Sequence, residues 1–291
     1  MINENCPSCG SNNCKNLYDL RKPKVHATLG LAGIIKKCKN CSLQFKTFDN
    51  EVEELYDDAY ADNFLKTEEY SGTHAINFFE KIVIKSYNKL DKKNKPTLLD
   101  IGSGIGIMLD TAKKIGYTPT GIELSSKLSK VAQSKGHEVL NININESKIE
   151  RKFETITMMD IIEHLEDPKQ ILQSLKPLLN KNGELIVYTP NHDSFIVKIA
   201  HILFRLGIKS PVENIFACTH TCFFTTKTLI DILVNSGYTI TEKKHFNYDT
   251  SRPGQEVSFV AKIAINIIES VGSLIGFKGF RVVIYAKPLE K

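Results

Sequence analysis

The sequence lacks any uninterrupted apolar run of the roughly 18 residues that a membrane-spanning helix requires, so we expect no such helix. Its first residues have neither a basic segment nor an apolar core, so we expect no secretory signal peptide. The net charge is +5, and the sequence has no block of residues of one charge, because the lysines are scattered along the chain. A solvated surface is therefore favoured over a nucleic-acid-binding face.

The chain has 291 residues, of which 42% are apolar. This is enough to bury a sizeable core, and it predicts one domain with an appendage. Seven cysteines are present, an odd number, and four of them form two Cys-x-x-Cys pairs. This number and spacing of cysteines is more typical of metal binding in a reducing compartment than of disulfides. We therefore expect a cytoplasmic protein.

The two Cys-x-x-Cys pairs lie in residues 1–48 and are separated by 28 residues. Each pair can close a tight turn whose backbone N–H groups point at the sulfurs, and two such turns offer a tetrahedron of thiolates. A segment this small and polar would hardly fold without metal. We therefore predict a structural zinc ribbon over residues 1–48, with Cys14 outside the ligand set and a redox dithiol as the alternative. The predicted ligands are Cys6, Cys9, Cys38 and Cys41.

A glycine-rich motif lies at residues 98–106, where an apolar stretch is followed by three glycines at alternate positions. The pattern predicts a buried strand, a glycine turn and a helix from residue 107. Glycine lets a ligand approach the backbone closely, and the helix N-terminus adds N–H donors. The spacing differs from the Gly-x-Gly-x-x-Gly of dinucleotide-binding turns, and an acid, Asp100, precedes it. The three glycines are Gly102, Gly104 and Gly106.

A second strand is predicted over residues 118–123, and it ends in the carboxylate of Glu123. A carboxylate at this place accepts hydrogen bonds from both ribose hydroxyls of a nucleoside. The alternative role, capping the next helix, is already filled by Ser125. A third strand is predicted over residues 137–144.

The segment with Asp100 and the three glycines resembles motif I of the class I S-adenosylmethionine-dependent methyltransferases. Residues 160–168 read Asp-x-x-Glu-His-x-x-Asp-Pro and resemble a signature of methyltransferases similar to the ubiquinone-biosynthesis O-methyltransferases. The resemblance implies an α/β fold, a seven-stranded Rossmann-like sheet with helices on both faces. It also implies S-adenosylmethionine over the glycine turn, with Asn143 at the adenine and Asp160 at the cofactor.

The resulting domain plan places a helical connector over residues 49–95 and the methyltransferase domain over residues 96–291. The connector contains a predicted amphipathic helix at 73–90 and three candidate lid residues, Tyr56, Tyr60 and Tyr70. Two strongly apolar helical insertions are predicted at about 192–210 and 256–277. They pack as ordinary helices, or they meet a lipid-linked substrate or the inner face of a membrane.

Asp160, Glu163 and His164 are predicted at the carboxyl end of a central strand, where open α/β sheets bind their ligands. Three roles stay open. His164 is a general base for a substrate hydroxyl, or all three residues bind a divalent metal, or they only hold the loop. His220 precedes an aromatic pair and a helix, as in the resembling family, and is a second candidate for general base or substrate contact.

We expect an S-adenosylmethionine-dependent methyltransferase that methylates oxygen on a small-molecule, sugar or lipid-linked substrate. One alternative is an RNA or protein methyltransferase that uses the zinc ribbon, with its lysines, for recognition. The other is a domain that binds cofactor or a partner without catalysis. The intact glycines and Glu123 argue against such decay.

Overall fold

The computed structural model describes residues 5–20, 33–48, 61–62, 65, 72–144, 149–216, 219–247 and 259–289. The strands in these ranges are β1 Cys14–Asp19, β2 Gly33–Cys38, β3 Gln44–Phe48, β4 Thr97–Ile101, β5 Thr118–Ile122, β6 Glu138–Leu140, β7 Phe153–Met159, β8 Leu179–Pro190, β9 Cys222–Phe223, β10 Tyr238–Phe246 and β11 Arg281–Pro288. The main α-helices are α1 Gly72–Asn88, α2 Ile107–Ile115, α3 Ser126–Ser134, α4 Pro168–Leu175, α5 Phe195–Arg205, α6 Ser210–Phe216, α7 Thr226–Asn235 and α8 Phe259–Leu274.

Seven strands form the central sheet in the order β10-β11-β8-β7-β4-β5-β6, which confirms the predicted fold. The five strands from β6 to β8 are parallel, whereas β11 and β10 close the sheet with antiparallel pairings. Side chains of α1 and α2 pack on one face, and those of α4 and α7 pack on the other. The strand order reverses between β4 and β7, and ligands of open α/β sheets bind at such a reversal.

The N-terminal residues form a second sheet in the order β1-β2-β3-β9. Its last strand, Cys222–Phe223, comes from the far half of the chain and pairs antiparallel with β3. The sequence did not predict this pairing, because a two-residue strand has no periodicity of its own. Cys38, Leu43 and Phe45 are buried in the same apolar cluster as side chains of α4 and α7. The N-terminal sheet and the central sheet therefore share a core.

Several elements differ in their bounds from those predicted. β6 covers only Glu138–Leu140, and part of the remaining stretch, 142–144, lines a cavity. Residues 180–183 lie inside β8, where the register against β7 shifts. The apolar stretch predicted as one helix at 192–210 contains α5 and the start of α6, and Gly207, with a left-handed φ of +89°, separates them.

Tyr56, Tyr60 and Tyr70, the candidate lid residues, lie outside the described part of the chain. Of the helices in the described ranges, none has both the length and the apolar character needed to cross a membrane.

Candidate active site

The glycine turn between β4 and α2 adopts a backbone conformation that favours glycine. Gly102, Gly104 and Gly106 have φ angles of +71°, +52° and +86°. A Cβ on Gly102 would lie 2.1 Å from Ile161 Cδ1. Residue 102 therefore has no room for a side chain, because the loop after β7 packs against it. The N-terminus of α2 therefore borders the crevice without side chains in the way.

Glu123 follows β5 and holds the glycine turn in place. Its Oε2 accepts a hydrogen bond from the Gly104 N–H at 2.8 Å, and its Oε1 accepts one from the Ser125 N–H at 2.8 Å. Burial raises the pKa of the Glu123 carboxyl, and these N–H groups oppose the shift. Each carboxylate oxygen has two acceptor positions, so each can also accept a hydroxyl of a ligand in the cavity. Ser125 caps α3, as predicted.

Asp100 is buried in β4 and lines the same cavity. Thr157 of the neighbouring β7 donates its hydroxyl to Asp100 Oδ1 at 2.6 Å. Burial raises the pKa of Asp100 to about 7; the Thr157 hydrogen bond opposes this shift, and the charge of Glu123 adds to it. A cationic ligand group beside Asp100 would therefore favour its charged form.

The carboxyl ends of β4, β5 and β7 border a cavity of about 750 Å³. This volume is within the roughly 300–1,000 Å³ of small-molecule sites in proteins. Asp100, the glycine turn and Glu123 make one part of the wall polar, whereas Ile142 and Ile144 flank Asn143 on an apolar part. Phe79 of α1 also lines the cavity. Of the seven predicted cofactor contacts, six line this cavity, and Gly106 is the exception. The six are Asp100, Gly102, Gly104, Glu123, Asn143 and Asp160.

Asp160 directly follows β7 and has a left-handed backbone with φ of +55°, which is uncommon outside glycine. Its Oδ1 accepts a hydrogen bond from the Arg281 guanidinium on β11. The Arg281 guanidinium carbon also lies 5.3 Å from the centre of the Tyr188 ring. Sequence reasoning missed Arg281, because only the order of the sheet brings residue 281 close to residue 160.

The buried Glu163 and the half-buried His164 and His220 form a polar cluster, and His164 lines the cavity. The rings of His164 and His220 meet edge to face, with 4.7 Å between their centres. Thr189 donates its hydroxyl to Glu163 Oε2 at 2.8 Å. Within the described ranges no hydrogen-bond partner reaches Glu163 Oε1 or His220 Nδ1. Ligand atoms of these three residues lie within 4.8 Å of one another, so the set that can share an ion contains His220 and not the expected Asp160.

The surroundings keep this cluster largely uncharged. Burial lowers the pKa of His164 to about 4, although the charge of Asp160 opposes the shift. Burial, with the neighbouring His164, holds the pKa of His220 well below its usual range. Burial and the charge of Asp160 raise the pKa of Glu163 to about 8. At neutral pH both imidazoles are therefore neutral, which is the form that accepts a proton.

The four predicted thiol ligands come together beside the N-terminal sheet. The Sγ atoms of Cys6 and Cys41 lie 3.4 Å apart, those of Cys9 and Cys38 lie 3.6 Å apart, and all four lie within 4.8 Å of one another. The Cys41 N–H points at Cys38 Sγ at 3.5 Å, as expected of a Cys-x-x-Cys turn. Zn–S bonds of about 2.3 Å in a tetrahedron place sulfurs about 3.8 Å apart, so this cluster is compatible with Zn²⁺.

Thr221 ties the N-terminal sheet to the histidine cluster. The Lys46 N–H of β3 donates to the Thr221 carbonyl at 2.8 Å, and the Thr221 N–H donates to the Glu163 carbonyl at 2.8 Å. The Thr221 hydroxyl lies 3.0 Å from the Glu163 carbonyl oxygen and 2.9 Å from that of Leu165. The N-terminal sheet therefore supports the loop that carries Glu163 and His164.

The sheet order and the glycine-lined cavity at its reversal point together define the Rossmann-like fold of the class I methyltransferases. The family model described as a methyltransferase domain matches residues 66–243, more than half of the chain. The chain belongs to this methyltransferase family.

Curated relatives and solved structures agree with this assignment. The ubiquinone biosynthesis O-methyltransferase of Actinobacillus pleuropneumoniae serotype 5b (strain L20) is 35% identical over 135 residues, which cover 42% of this chain and 56% of that protein. The chain thus spans about half the length of the curated relatives it matches.

Two solved structures have the same fold. One is a SAM-dependent methyltransferase from Archaeoglobus fulgidus, with a TM-score of 0.52 and 19% identity, covering 77% of this chain and 98% of that chain. The other is the magnesium protoporphyrin IX methyltransferase of Synechocystis PCC 6803 with bound SAH, with a TM-score of 0.52 and 13% identity, covering 81% and 96%.

Proposed function

We propose that this chain is an S-adenosylmethionine-dependent methyltransferase that methylates a hydroxyl oxygen of a small or lipid-linked molecule. The single observation that carries the proposal is the cavity in which the glycine turn, Asp100 and Glu123 adjoin the neutral His164. Family membership supports methyl transfer. The name of the curated relatives, ubiquinone biosynthesis O-methyltransferase, supports oxygen as the acceptor.

The residues present fit S-adenosylmethionine. Glu123 offers acceptors for two ribose hydroxyls, Asp100 offers an acid for a cationic group, and Asn143 lies in an apolar wall that suits an adenine. When bound, this cofactor supplies an electrophilic methyl group on a sulfonium. The chain binds and orients both reactants, and such alignment provides much of the rate enhancement in a methyl transfer.

We assign His164 and His220 to the acceptor side. A neutral imidazole accepts the hydroxyl proton as the oxygen takes the methyl group. Asp160, held by Arg281 in a left-handed conformation, fixes the start of the loop on which His164 lies. The protonated histidine then returns its proton to water.

A divalent cation on Glu163, His164 and His220 is a second candidate arrangement. Glu163 Oε1 and His220 Nδ1 have no hydrogen-bond partner among the described residues, and a cation would engage both. It would lower the pKa of a bound hydroxyl and so replace the base. Loss of activity in EDTA that Mg²⁺ alone restores, in a chain that keeps its four-thiolate zinc, would favour this arrangement over the metal-free one.

We also propose a structural Zn²⁺ on Cys6, Cys9, Cys38 and Cys41. Four protein thiolates leave no open ligand position, so this metal would stabilise the fold and take no part in the chemistry. In the domain plan we propose, residues 1–48 form the zinc ribbon, residues 49–95 the connector and residues 96–291 the methyltransferase domain.

A lipid-linked acceptor is supported by α5 and α8, which pack against each other and carry exposed apolar side chains. The most exposed are Leu206, just after α5, at 72% and Leu274 at 86%. Exposed basic side chains lie at or just after the ends of both helices: Arg205 at the end of α5, Lys209 shortly after it, and Lys278 after the end of α8. An apolar surface with basic flanks suits peripheral contact with an anionic membrane.

The test uses pure protein, S-adenosylmethionine with a tritiated methyl group and host lysate, followed by fractionation. We expect base-stable, ether-linked label in the lipid or small-molecule fraction. Label confined to RNA or protein would overturn the acceptor class. Absence of S-adenosylhomocysteine binding in calorimetry would overturn the cofactor assignment itself.

A further inference from the structure

Cys14 lies next to the four-thiol cluster without belonging to it. It begins β1, and its Cα partner in the antiparallel β1–β2 ladder is Cys38. Directly opposed residues of an antiparallel pair have Cα atoms about 4.5–5.5 Å apart, with side chains on the same face. This separation falls within the roughly 4.4–6.8 Å at which a disulfide closes. The backbone register therefore already places Cys14 and Cys38 for a covalent bond.

The two thiols differ in access and in chemical state. Cys14 is half-buried, and its Sγ lies 3.5 Å from the Ser11 carbonyl oxygen. Cys38 is fully buried, and in the zinc site proposed above its sulfur is a thiolate. An accessible thiol that is oxidised beside a thiolate is trapped by it as a disulfide.

We propose that Cys14 is an oxidation site at which a peroxide converts the zinc ribbon into a metal-free disulfide form, with Cys38 as the partner. The proposal rests on the zinc site proposed above. Peroxide transfers one oxygen to Cys14 Sγ, which gives a sulfenic acid and one water. The Cys38 thiolate then attacks Cys14 Sγ; the S–S bond forms, the S–O bond breaks, and hydroxide leaves and takes up a proton. The two sulfurs lose two electrons, and the oxygen–oxygen bond of the peroxide receives them.

Oxidation removes one of the four zinc ligands. Three thiolates hold Zn²⁺ much more weakly, so the metal leaves. The new bond stays within the β1–β2 pair, whereas β3 loses the metal that fixes the turn before it. β3 carries β9, and the Lys46–Thr221–Glu163 backbone bonds continue to the histidine cluster. Peroxide would thus lower methyl transfer reversibly.

The test treats the zinc-loaded full chain with graded hydrogen peroxide. Zinc release is followed with a chromophoric chelator, and disulfides are located by peptide mass mapping under non-reducing conditions. We expect one zinc released per chain, together with a linked pair of peptides that contain Cys14 and Cys38. Cys14→Ser should release zinc at least about fivefold more slowly. Cys222→Ala, which removes a thiol outside the ligand set and keeps the buried position apolar, should behave as the wild type.

Equal rates of zinc release from the wild type and Cys14→Ser would overturn the proposal. So would linked peptides that join only Cys6, Cys9, Cys38 and Cys41 to one another. The peptide map of the wild type needs no variant, so it decides the matter even if Cys14→Ser fails to fold. A purified chain without zinc rejects the zinc site, whereas a zinc-bound chain that never forms the Cys14–Cys38 bond rejects only the oxidation site.

Discussion

Asp100 is a buried acid whose pKa, raised by burial to about 7, lies in the physiological range. A cofactor with a sulfonium binds the charged carboxylate better, and the charged fraction grows as the pH rises. We therefore predict that the affinity for S-adenosylmethionine increases about tenfold between pH 6 and pH 8. Calorimetric titration at several pH values measures this dependence.

The matched variants are Asp100→Asn and Asp231→Asn. The first should bind the cofactor more weakly and with little pH dependence, because its amide does not titrate. The second removes an acid that pairs with Lys227 at the surface of α7, and it should keep the wild-type profile. A wild-type affinity that is constant from pH 6 to pH 8 contradicts the prediction.

His164 and His220 both have pKa values below the ordinary histidine value, because burial disfavours their charged forms. A base with a depressed pKa stays neutral until the pH falls through that value, which is about 4 for His164. With saturating cofactor, kcat should therefore be constant from pH 7, where Glu163 is still largely protonated, down to about pH 5. His220→Gln should lower kcat by about a hundredfold or more and leave the KM for the cofactor unchanged.

His245→Gln is the control for this prediction, since His245 lies on β10 and bonds to Thr226. It should retain the wild-type kcat. Steady-state kinetics that give His220→Gln full turnover would remove His220 from the acceptor side.

The site residues that the sequence predicted are those whose positions follow from a local pattern. The glycine turn, Glu123 and the four thiols follow from spacing alone. Asn191, in contrast, is fully buried, accepts a hydrogen bond from the Thr226 N–H at 3.1 Å and donates to the Gly279 carbonyl at 3.0 Å. It ties β8 to the start of α7 and to the residues before β11, and only the tertiary packing reveals this.

The helices α5 and α8 each present exposed apolar side chains, and the two helices pack against each other where Phe195 meets Gly272. Each leucine that enters a bilayer contributes about 1.5–3 kcal/mol. We predict that Leu206→Glu combined with Leu274→Glu lowers partitioning onto phosphatidylglycerol vesicles by at least about tenfold. Sedimentation with the vesicles measures the bound fraction.

Val234→Glu is the control for the membrane prediction, because Val234 is 51% exposed on α7, outside the α5–α8 pair. It should bind vesicles as the wild type does. Equal loss in both variants, or no vesicle binding by the wild type, would contradict a membrane role for these helices.

Elements with strong periodicity were predicted from the sequence within a few residues. The strand predicted at 118–123 is β5, Thr118–Ile122, and the helix predicted at 73–90 is α1, Gly72–Asn88. The two-residue strand β9 could not be predicted, since its pairing with β3 creates it. Gly207, which separates α5 from α6, does carry a signal that could have been used.

The N-terminal sheet shares its core with α4 and α7. We therefore expect zinc binding to stabilise the methyltransferase domain as well as residues 1–48. Cys9 is exposed, so Cys9→Ser removes a ligand without leaving a buried cavity. We predict that this variant loses its zinc, melts at least about 5 °C lower and turns over more slowly. Calorimetry, metal analysis and kinetics check the three effects.

Lys15→Ser, an exposed change on β1 that touches no thiol, should keep the zinc, the melting temperature and kcat. A Cys9→Ser protein that lacks zinc but melts and turns over like the wild type would show that the active site does not depend on the metal in the N-terminal sheet.

The pairing of β3 with β9 joins Phe45 to Cys222, two residues that are roughly 180 positions apart in the chain. A ribosome releases the N-terminal strands first, so the outer edge of β3 has no partner until most of the protein has been made. An open strand edge is a template for pairing with another chain. A nascent chain stalled before residue 222 is therefore the form most exposed to aggregation, and early uptake of metal cannot by itself protect it.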